Sequence, residues 1–482
     1  MAKDLSSIIK KIQNIMRKDK GVSGDAQRID QLVWLLFLKV YDELKESNEY
    51  ELEDFNYVSI IPEDYRWRNW AVDKKDGNAM TGDELIDFVN NKLFPTLKKL
   101  VVNENTPLKQ AIVKFVFEDA NNYMKEGVLL RQVINELNLI NFDEYDDRHA
   151  FNDIYESILK DLQSAGNSGE FYTPRAITEF IVEMVKPTIN DKVADFACGT
   201  GGFLTSTIDL LKKNDSQEML EKIQKNIIGT ELKPLPYILC VTNMLLHDLD
   251  GTNIIRGNSF SKKLEDYVEK DKVDCIVMNP PFGAMIMDGL ETNFPLKYRT
   301  SESSDLFVAL ILYRLKQNGR VGVILPDSFL AGTETARVNI KEKLLKDCNL
   351  HTIIRLPNTC FAPYATVATS ILFFDKTKST DEVWYYEHQY PTQQKYSKTN
   401  PIKKEDFNPE RLWWNNRTQN SHAWKVTRQE IVDKGYDMDF KNPTKKESVI
   451  DETPLNDYIL QIENDIEDIV SSINKLKDLM KL

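Results

Sequence analysis

The stretch Asp195-Phe196-Ala197-Cys198-Gly199-Thr200-Gly201-Gly202-Phe203-Leu204 follows an apolar strand candidate, Lys192 to Phe196, and runs on into a helical pattern. Glycines at such a junction allow a tight turn and let a ligand approach the helix N-terminus closely. Open α/β sheets bind their ligands at this carboxyl edge of the strands. The loop is a poor dinucleotide fingerprint. A G-x-G-x-x-G frame counted from Gly199 reaches Leu204 at its sixth position. The acidic Asp195 stands ahead of the glycines, where it repels a pyrophosphate but suits an ammonium or a hydroxyl. The next strand candidate, Asn226 to Glu231, ends in Gly229-Thr230-Glu231, and a carboxylate there accepts hydrogen bonds from both hydroxyls of a ribose. Together these residues favour S-adenosylmethionine over NAD, although the glycines alone would also serve a plain structural turn.

Outward from this loop, short apolar runs alternate with helical ones: Thr252 to Gly257, Val273 to Met278, Arg320 to Leu325, Thr352 to Leu356 and Thr369 to Phe374, with helical periodicity between them, as in Ser304 to Lys316. The alternation predicts βαβ crossovers and a doubly wound, mainly parallel sheet. No convincing helix joins the last two strands, so an antiparallel hairpin at one sheet edge is expected. The first 150 residues carry amphipathic stretches, including Asp30 to Lys45 and Leu108 to Val116, and no alternating strands. They predict a helical domain. Within it, Ile60 to Trp70, with Pro62, Trp67 and Trp70, is either a packed connector or a binding loop. Ser164, Gly166, Asn167 and Ser168 mark the junction.

The whole chain has 482 residues, 41% apolar and 28% charged. That is globular composition with room for two to four domains at about 150 residues each. Sixty-two basic residues against 75 acidic ones give a net charge of −13, so any contact with a nucleic-acid backbone must be local or lent by a partner. Apolar runs such as Leu32 to Leu38 fall short of the roughly 20 residues that span a bilayer, and the chain reads as a soluble cytoplasmic protein. The five cysteines make no C-x-x-C pair and the five histidines no H-E-x-x-H, so neither a disulfide framework nor a metal site is expected.

A second motif, Asn279-Pro280-Pro281-Phe282, ends the strand candidate Val273 to Met278. Alone it could be a rigid turn. Placed after the fourth strand of a domain whose first strand ends in the glycine loop, it resembles the amino-methyltransferases. There an Asp/Asn-Pro-Pro-aromatic tetrapeptide holds a planar exocyclic amine. The physics suits that role: the Asn279 amide oxygen and the Pro280 carbonyl are acceptors on a stiff backbone, and Phe282 offers a face to an unstacked base. Methylation of a ring carbon would need a thiolate. Cys275 inside the strand and Cys198 inside the loop read instead as packing residues. The stretch Gly283 to Ser304, containing Gly and Pro and mixed in polarity, is expected to form a mobile loop over the substrate.

Two segments toward the C-terminus carry further signals. Between Pro391 and Arg428, eight basic residues face three acidic ones, with Trp413, Trp414 and Trp424 interleaved. This is either a phosphate-facing surface with stacking side chains or a solvated segment whose tryptophans pack inward. From Leu455 the residues Ile459, Ile462, Ile466, Ile469, Ile473, Leu476 and Met480 keep strict alternate spacings of four and three. That pattern predicts a coiled-coil-type helix, capped by Thr453 and Pro454, that seeks a partner helix.

Before the first strand lies Gly169-Glu170-Phe171-Tyr172-Thr173-Pro174-Arg175, in which Thr173 suits a helix N-cap with Pro174 in the first turn. The heptapeptide resembles the stretch ahead of the glycine loop in modification (M) subunits of type I restriction-modification systems, a family of N6-adenine DNA methyltransferases. With the glycine loop, N-P-P-F, the helical N-terminal part and the C-terminal helix, the resemblance covers most of the chain. It implies an α/β protein: a helical domain over 1–160, a Rossmann-like methyltransferase domain over 161–390, a basic, aromatic extension over 391–450 and a partner-binding helix over 451–482. It implies that Glu170, Phe171, Tyr172, Thr173, Pro174, Arg175, Asp195, Gly199, Thr200, Gly201, Gly202, Glu231 and Asn258 surround S-adenosylmethionine, and that Asn279, Pro280, Pro281 and Phe282 hold a flipped adenine. Asn258 stands where many relatives carry aspartate. The implied partners are double-stranded DNA, a specificity (S) subunit bound through the C-terminal helix, a second M subunit and a restriction (R) subunit. Two other readings compete: a protein-glutamine methyltransferase, and a non-catalytic scaffold that binds DNA and cofactor.

Overall fold

The structure is a computed structural model that describes residues 5–51, 59–73, 77–103, 106, 108–142, 173–212, 216–249, 253–362, 367–391, 394–397 and 399–444. Glu170, Phe171, Tyr172, the junction at 164–168 and the heptad helix lie outside these residues.

The N-terminal part is helical. Its central helix, Asp25–Glu51, is buried all round from Gln31 to Tyr41, as befits a helix enclosed by others. Trp34 meets Phe94 edge-on at 5.0 Å, and Phe37 meets Phe117 at 6.3 Å. The two stretches expected to be amphipathic fall in this helix and in Leu108–Asp119. Ile60 to Trp70 is a packed connector: Trp67 and Trp70 are buried, and Trp67 Nε1 donates to Asn138 Oδ1 at 2.9 Å.

All seven expected strands are present: β1 Val193–Asp195, β2 Ile227–Glu231, β3 Ile254–Arg256, β4 Val273–Met278, β5 Leu315–Pro326, β6 Asn349–Leu356 and β7 Thr369–Asp375. Two more, β8 Glu382–Glu387 and β9 Ala423–Thr427, extend them into one nine-stranded sheet of order β3-β2-β1-β4-β5-β7-β6-β8-β9. Strands β3 to β5 run parallel, and β7 inserts antiparallel between β5 and β6. The expected antiparallel pair therefore exists but is not at an edge, because β8 adds parallel to β6 and β9 closes that side antiparallel to β8.

The order reverses between β1 and β4, and a crevice opens at such a switch point because the crossovers leave to opposite sides. The helix Pro234–Leu246, buried at every position from Tyr237 onward, packs on β2 and β3 and on the N-terminal helix Asp25–Glu51. Arg256 at the end of β3 is ion-paired with Asp119 of the helical part. Among the described residues no helix is long and apolar enough to cross a membrane.

Candidate active site

At the switch point lies a cavity of about 700 Å³, lined by the residues after β1, β2, β3 and β4. The loop after β1 is shaped by its glycines. Gly201 has φ of 87°, and a Cβ there would stand 2.9 Å from Cys240 Sγ. In β2, a Cβ on Gly229 would come within 2.8 Å of Ile254 and 3.0 Å of Cys198, so the loop settles on β2 only over a bare backbone. Gly199, Thr200 and Gly202 line the cavity, while Gly201 turns the chain beneath it.

Glu231 ends β2 and is oriented by backbone. Its Oε2 accepts from Gly199 N–H at 2.9 Å and its Oε1 from Lys233 N–H at 2.7 Å. A carboxylate oxygen can accept from more than one donor. Asp195 is buried at the end of β1. Burial pushes its carboxyl up to about 8; the Ala197 N–H opposes the shift and the nearby Glu231 charge adds to it. Asn258 lines the far wall, its Oδ1 accepting from Phe260 N–H at 2.9 Å.

Asn279, Pro280, Pro281 and Phe282 form the opposite wall. Asn279 Nδ2 donates to Thr173 Oγ1 at 3.0 Å, whereas its Oδ1 is buried and accepts from no donor among the described residues. The turn is braced from behind, since Ser303 Oγ donates to the Pro281 carbonyl at 2.8 Å and Gly283 N–H to Glu302 Oε1 at 3.1 Å. Asp305 anchors the same helix, Ser303–Arg314, through a buried pair with Arg337 at 3.0 Å.

Two expectations need correction here. Thr173 does not cap the following helix, which starts at Arg175 with Pro174 in the cap position and no side-chain cap; its hydroxyl serves Asn279 instead. Arg175 is not brought to the cavity, because it is ion-paired with Asp209 and bonded to Thr205, tying its helix to Gly202–Leu211. The stretch Gly283 to Ser304 carries short helical turns at Leu290–Asn293 and Leu296–Tyr298, with Phe294 and Tyr298 buried.

Several lining residues were not singled out from sequence: Phe196, Leu235, Pro236, Leu239, Ser259 and Phe307. Pro234-Leu235-Pro236, directly after the ribose-type glutamate, was the legible signal for part of this wall. The cysteines are packing residues. Cys198 and Cys240 lie buried with sulfurs 3.8 Å apart, and burial pushes the Cys275 thiol up to about 12.

The family model described as N-6 DNA Methylase matches residues 146–452, and that of the HsdM N-terminal domain matches residues 5–137. The chain is 47% identical to the methylase subunit of the type I restriction enzyme EcoEI from Escherichia coli, over 99% of this chain and 97% of the relative. It is 28% identical to the EcoKI methylase subunit of Escherichia coli K12, over 86% and 78%. A crystal structure of a modification subunit assigned to a type I restriction enzyme of Vibrio vulnificus YJ016 superposes with a TM-score of 0.81 at 38% identity, covering 92% of this chain and 98% of that one. A chain from an assembled type I restriction-modification system gives a TM-score of 0.82 at 31% identity, covering 100% and 99%. With both family models placed in sequence on the helical part and the sheet, and one relative nearly half identical along its whole length, the chain belongs to the N-6 DNA methylase family as a methylase subunit of type I restriction enzymes.

Proposed function

We propose that the chain transfers the methyl group of S-adenosylmethionine to the N6 amine of an adenine turned out of double-stranded DNA, and that the cavity at the β1/β4 switch point is where it does so. The observation that carries this reading is Asn279. Its amide nitrogen is held by Thr173, and its oxygen is a buried acceptor without a donor among the described residues. Such an oxygen is costly unless something in use supplies the missing hydrogen, and an exocyclic amine does so.

The residues present fit the cofactor. The cavity volume lies within the range of about 300–1,000 Å³ usual for small-molecule sites. Glu231 would accept the ribose hydroxyls, Asp195 would meet a positive group, and Asn258 with the apolar wall of Leu235, Pro236 and Leu239 would hold the adenine. The carry-over of Glu170, Phe171 and Tyr172 to this site rests on the family resemblance alone. When bound, S-adenosylmethionine supplies an electrophilic methyl on a sulfonium. The chain's own work is positioning and charge accommodation. Asn279 Oδ1 and the Pro280 carbonyl accept the two amine hydrogens, Phe282 receives the face of the base, and the Ser303 and Glu302 bonds hold the turn rigid while the amine acquires positive charge.

The partners follow from the same reading. With a net charge of −13, the chain leaves sequence recognition to a specificity subunit, held through the heptad helix. A second M subunit and a restriction subunit complete the assembly. The test is transfer of labelled methyl to unmodified DNA by this chain alone and with the specificity chain encoded beside it. Label on adenine with both chains present is the expected result. Label on a protein and not on DNA would overturn it in favour of the glutamine methyltransferase reading, and binding of cofactor without any transfer would favour the scaffold.

A further inference from the structure

Beyond Phe282 the cavity wall continues into a short arm. Met285 pairs with Glu302 in an isolated antiparallel bridge, Ile286 N–H donates to the Ser301 carbonyl at 3.3 Å, and Ser303 N–H donates to the Ala284 carbonyl at 3.3 Å. These bonds strap the arm to the start of the helix Ser303–Arg314. Along extended backbone, successive side chains point to opposite sides. Ile286 turns inward and packs on the core beneath the sheet, while Met285 and Met287 point away, 73% and 69% exposed.

Two large apolar side chains thus stand together on the rim of the cavity that Asn279 lines. They carry no charge to meet a phosphate, and Asp288 follows directly. The arm is unsuited to track a nucleic-acid backbone. A thioether is flexible and polarisable and makes favourable contacts with aromatic rings, and apolar side chains serve as wedges between base steps. We infer that Met285 and Met287 enter the base stack as the target adenine leaves it, filling the gap beside the orphaned partner base. The inference rests on the DNA-methylation reading above and goes beyond it by assigning the surface that meets the duplex.

The experiment uses the full chain assembled with its specificity chain, the double variant Met285→Ala/Met287→Ala, and two duplexes carrying the methylated site. In one the target adenine is paired; in the other an abasic position faces it, so no partner base needs support. Extruding a paired base costs a few kcal/mol, and losing the wedge should lower kcat/KM on the paired duplex at least about tenfold, while the abasic duplex stays within about twofold of wild type. Met285→Leu/Met287→Leu, which keeps the apolar bulk, should restore the paired duplex. Equal loss on both duplexes would overturn the inference, by showing that the methionines serve the cavity itself. So would no loss on either. A wild-type assembly that transfers no methyl to any DNA would instead overturn the methylation reading, and the wedge with it.

Discussion

Two regions of the sheet offered similar promise in sequence and differ in what they do with it. The β1/β4 edge carries glycines, carboxylates and an Asn-Pro-Pro-Phe turn; the β8/β9 end carries eight basic residues and three tryptophans within Pro391 to Arg428. At the β8/β9 end several of the charges are met within the chain. Arg411 binds Glu183 at 2.7 Å, Lys425 binds Glu382 at 2.8 Å, and Arg417 covers the Trp414 ring at 4.5 Å. Trp424 stacks on Tyr385, and Trp413 is buried. His388 sits buried between Glu410 and Tyr396 at 2.7 and 3.0 Å. Buried atoms without partners among the described residues occur in both regions: Glu410 Oε2 and Trp424 Nε1 in one, Asn279 Oδ1 in the other. Only Asn279 of these three residues lines the large cavity. An unpaired polar atom points to chemistry when a ligand-sized space adjoins it; elsewhere it belongs to packing.

Breaking each end should therefore show in a different measurement. Trp424→Ala removes a buried aromatic and should destabilise the fold by about 3–5 kcal/mol, a large drop in Tm, while folded protein keeps its affinity for S-adenosylmethionine. Asn279→Ala should do the opposite. Removing one preorganised polar group from a reaction centre costs roughly 10²–10³ in turnover, and Tm should change little, because the lost bond to Thr173 and the removal of an unsatisfied acceptor oppose each other. An Asn279→Ala protein that methylates DNA at the wild-type rate would sink the assignment of this wall.

What the sequence made legible follows the same division. The first seven strands in chain order hold apolar runs flanked by turn residues and helices, and their period and punctuation suffice to place them. β8 and β9 were missed. Their Val383, Tyr385, Trp424 and Val426 face one core, while Tyr386 and Ala423 are buried on the other face, but they sit among charges and tryptophans that also suit a nucleic-acid surface, and only tertiary packing separates the two. The glycine loop, Glu231 and the N-P-P-F turn are sequence-local devices and could be read directly. The Thr173–Asn279 bond joins residues 106 positions apart, so no local rule could find it. Nor could one show that Arg175, a member of the same heptapeptide, turns toward Asp209.

That bond gives a smaller and sharper test of the cavity end. Thr173→Val keeps the shape and removes the oxygen that receives the Asn279 amide N–H, leaving the amide free to present either end to a substrate amine. A lost buried hydrogen bond is worth about 1 kcal/mol, so kcat should fall roughly five- to tenfold with the Kd for S-adenosylmethionine unchanged. Thr173→Ser should restore kcat. A Thr173→Val protein that weakens cofactor binding and leaves kcat alone would show that the hydroxyl faces the cofactor.

The smallest effect concerns Asp195, a cavity carboxylate whose charge is in play near neutrality. Burial pushes it up to about 8, far above its ordinary 3.8, so in the folded protein below that pH it is largely neutral. Its folded value is raised, and the sign follows: the stabilising contribution of the protonated form is complete below the ordinary carboxyl range and is lost as pH rises through about 8. Tm of the wild type should fall relative to Asp195→Asn across that window. A cationic ligand needs the opposite state. Seating a positive group against Asp195 expels the proton, so the affinity for S-adenosylmethionine should climb as pH approaches about 8 and level off above it. The slope should be at most about tenfold per pH unit, the limit for release of one proton. Calorimetry in buffers of different ionisation enthalpy measures that proton directly. Asp195→Asn should abolish both the slope and the proton release, and a slope that survives in Asp195→Asn would place the titrating group elsewhere in the cavity.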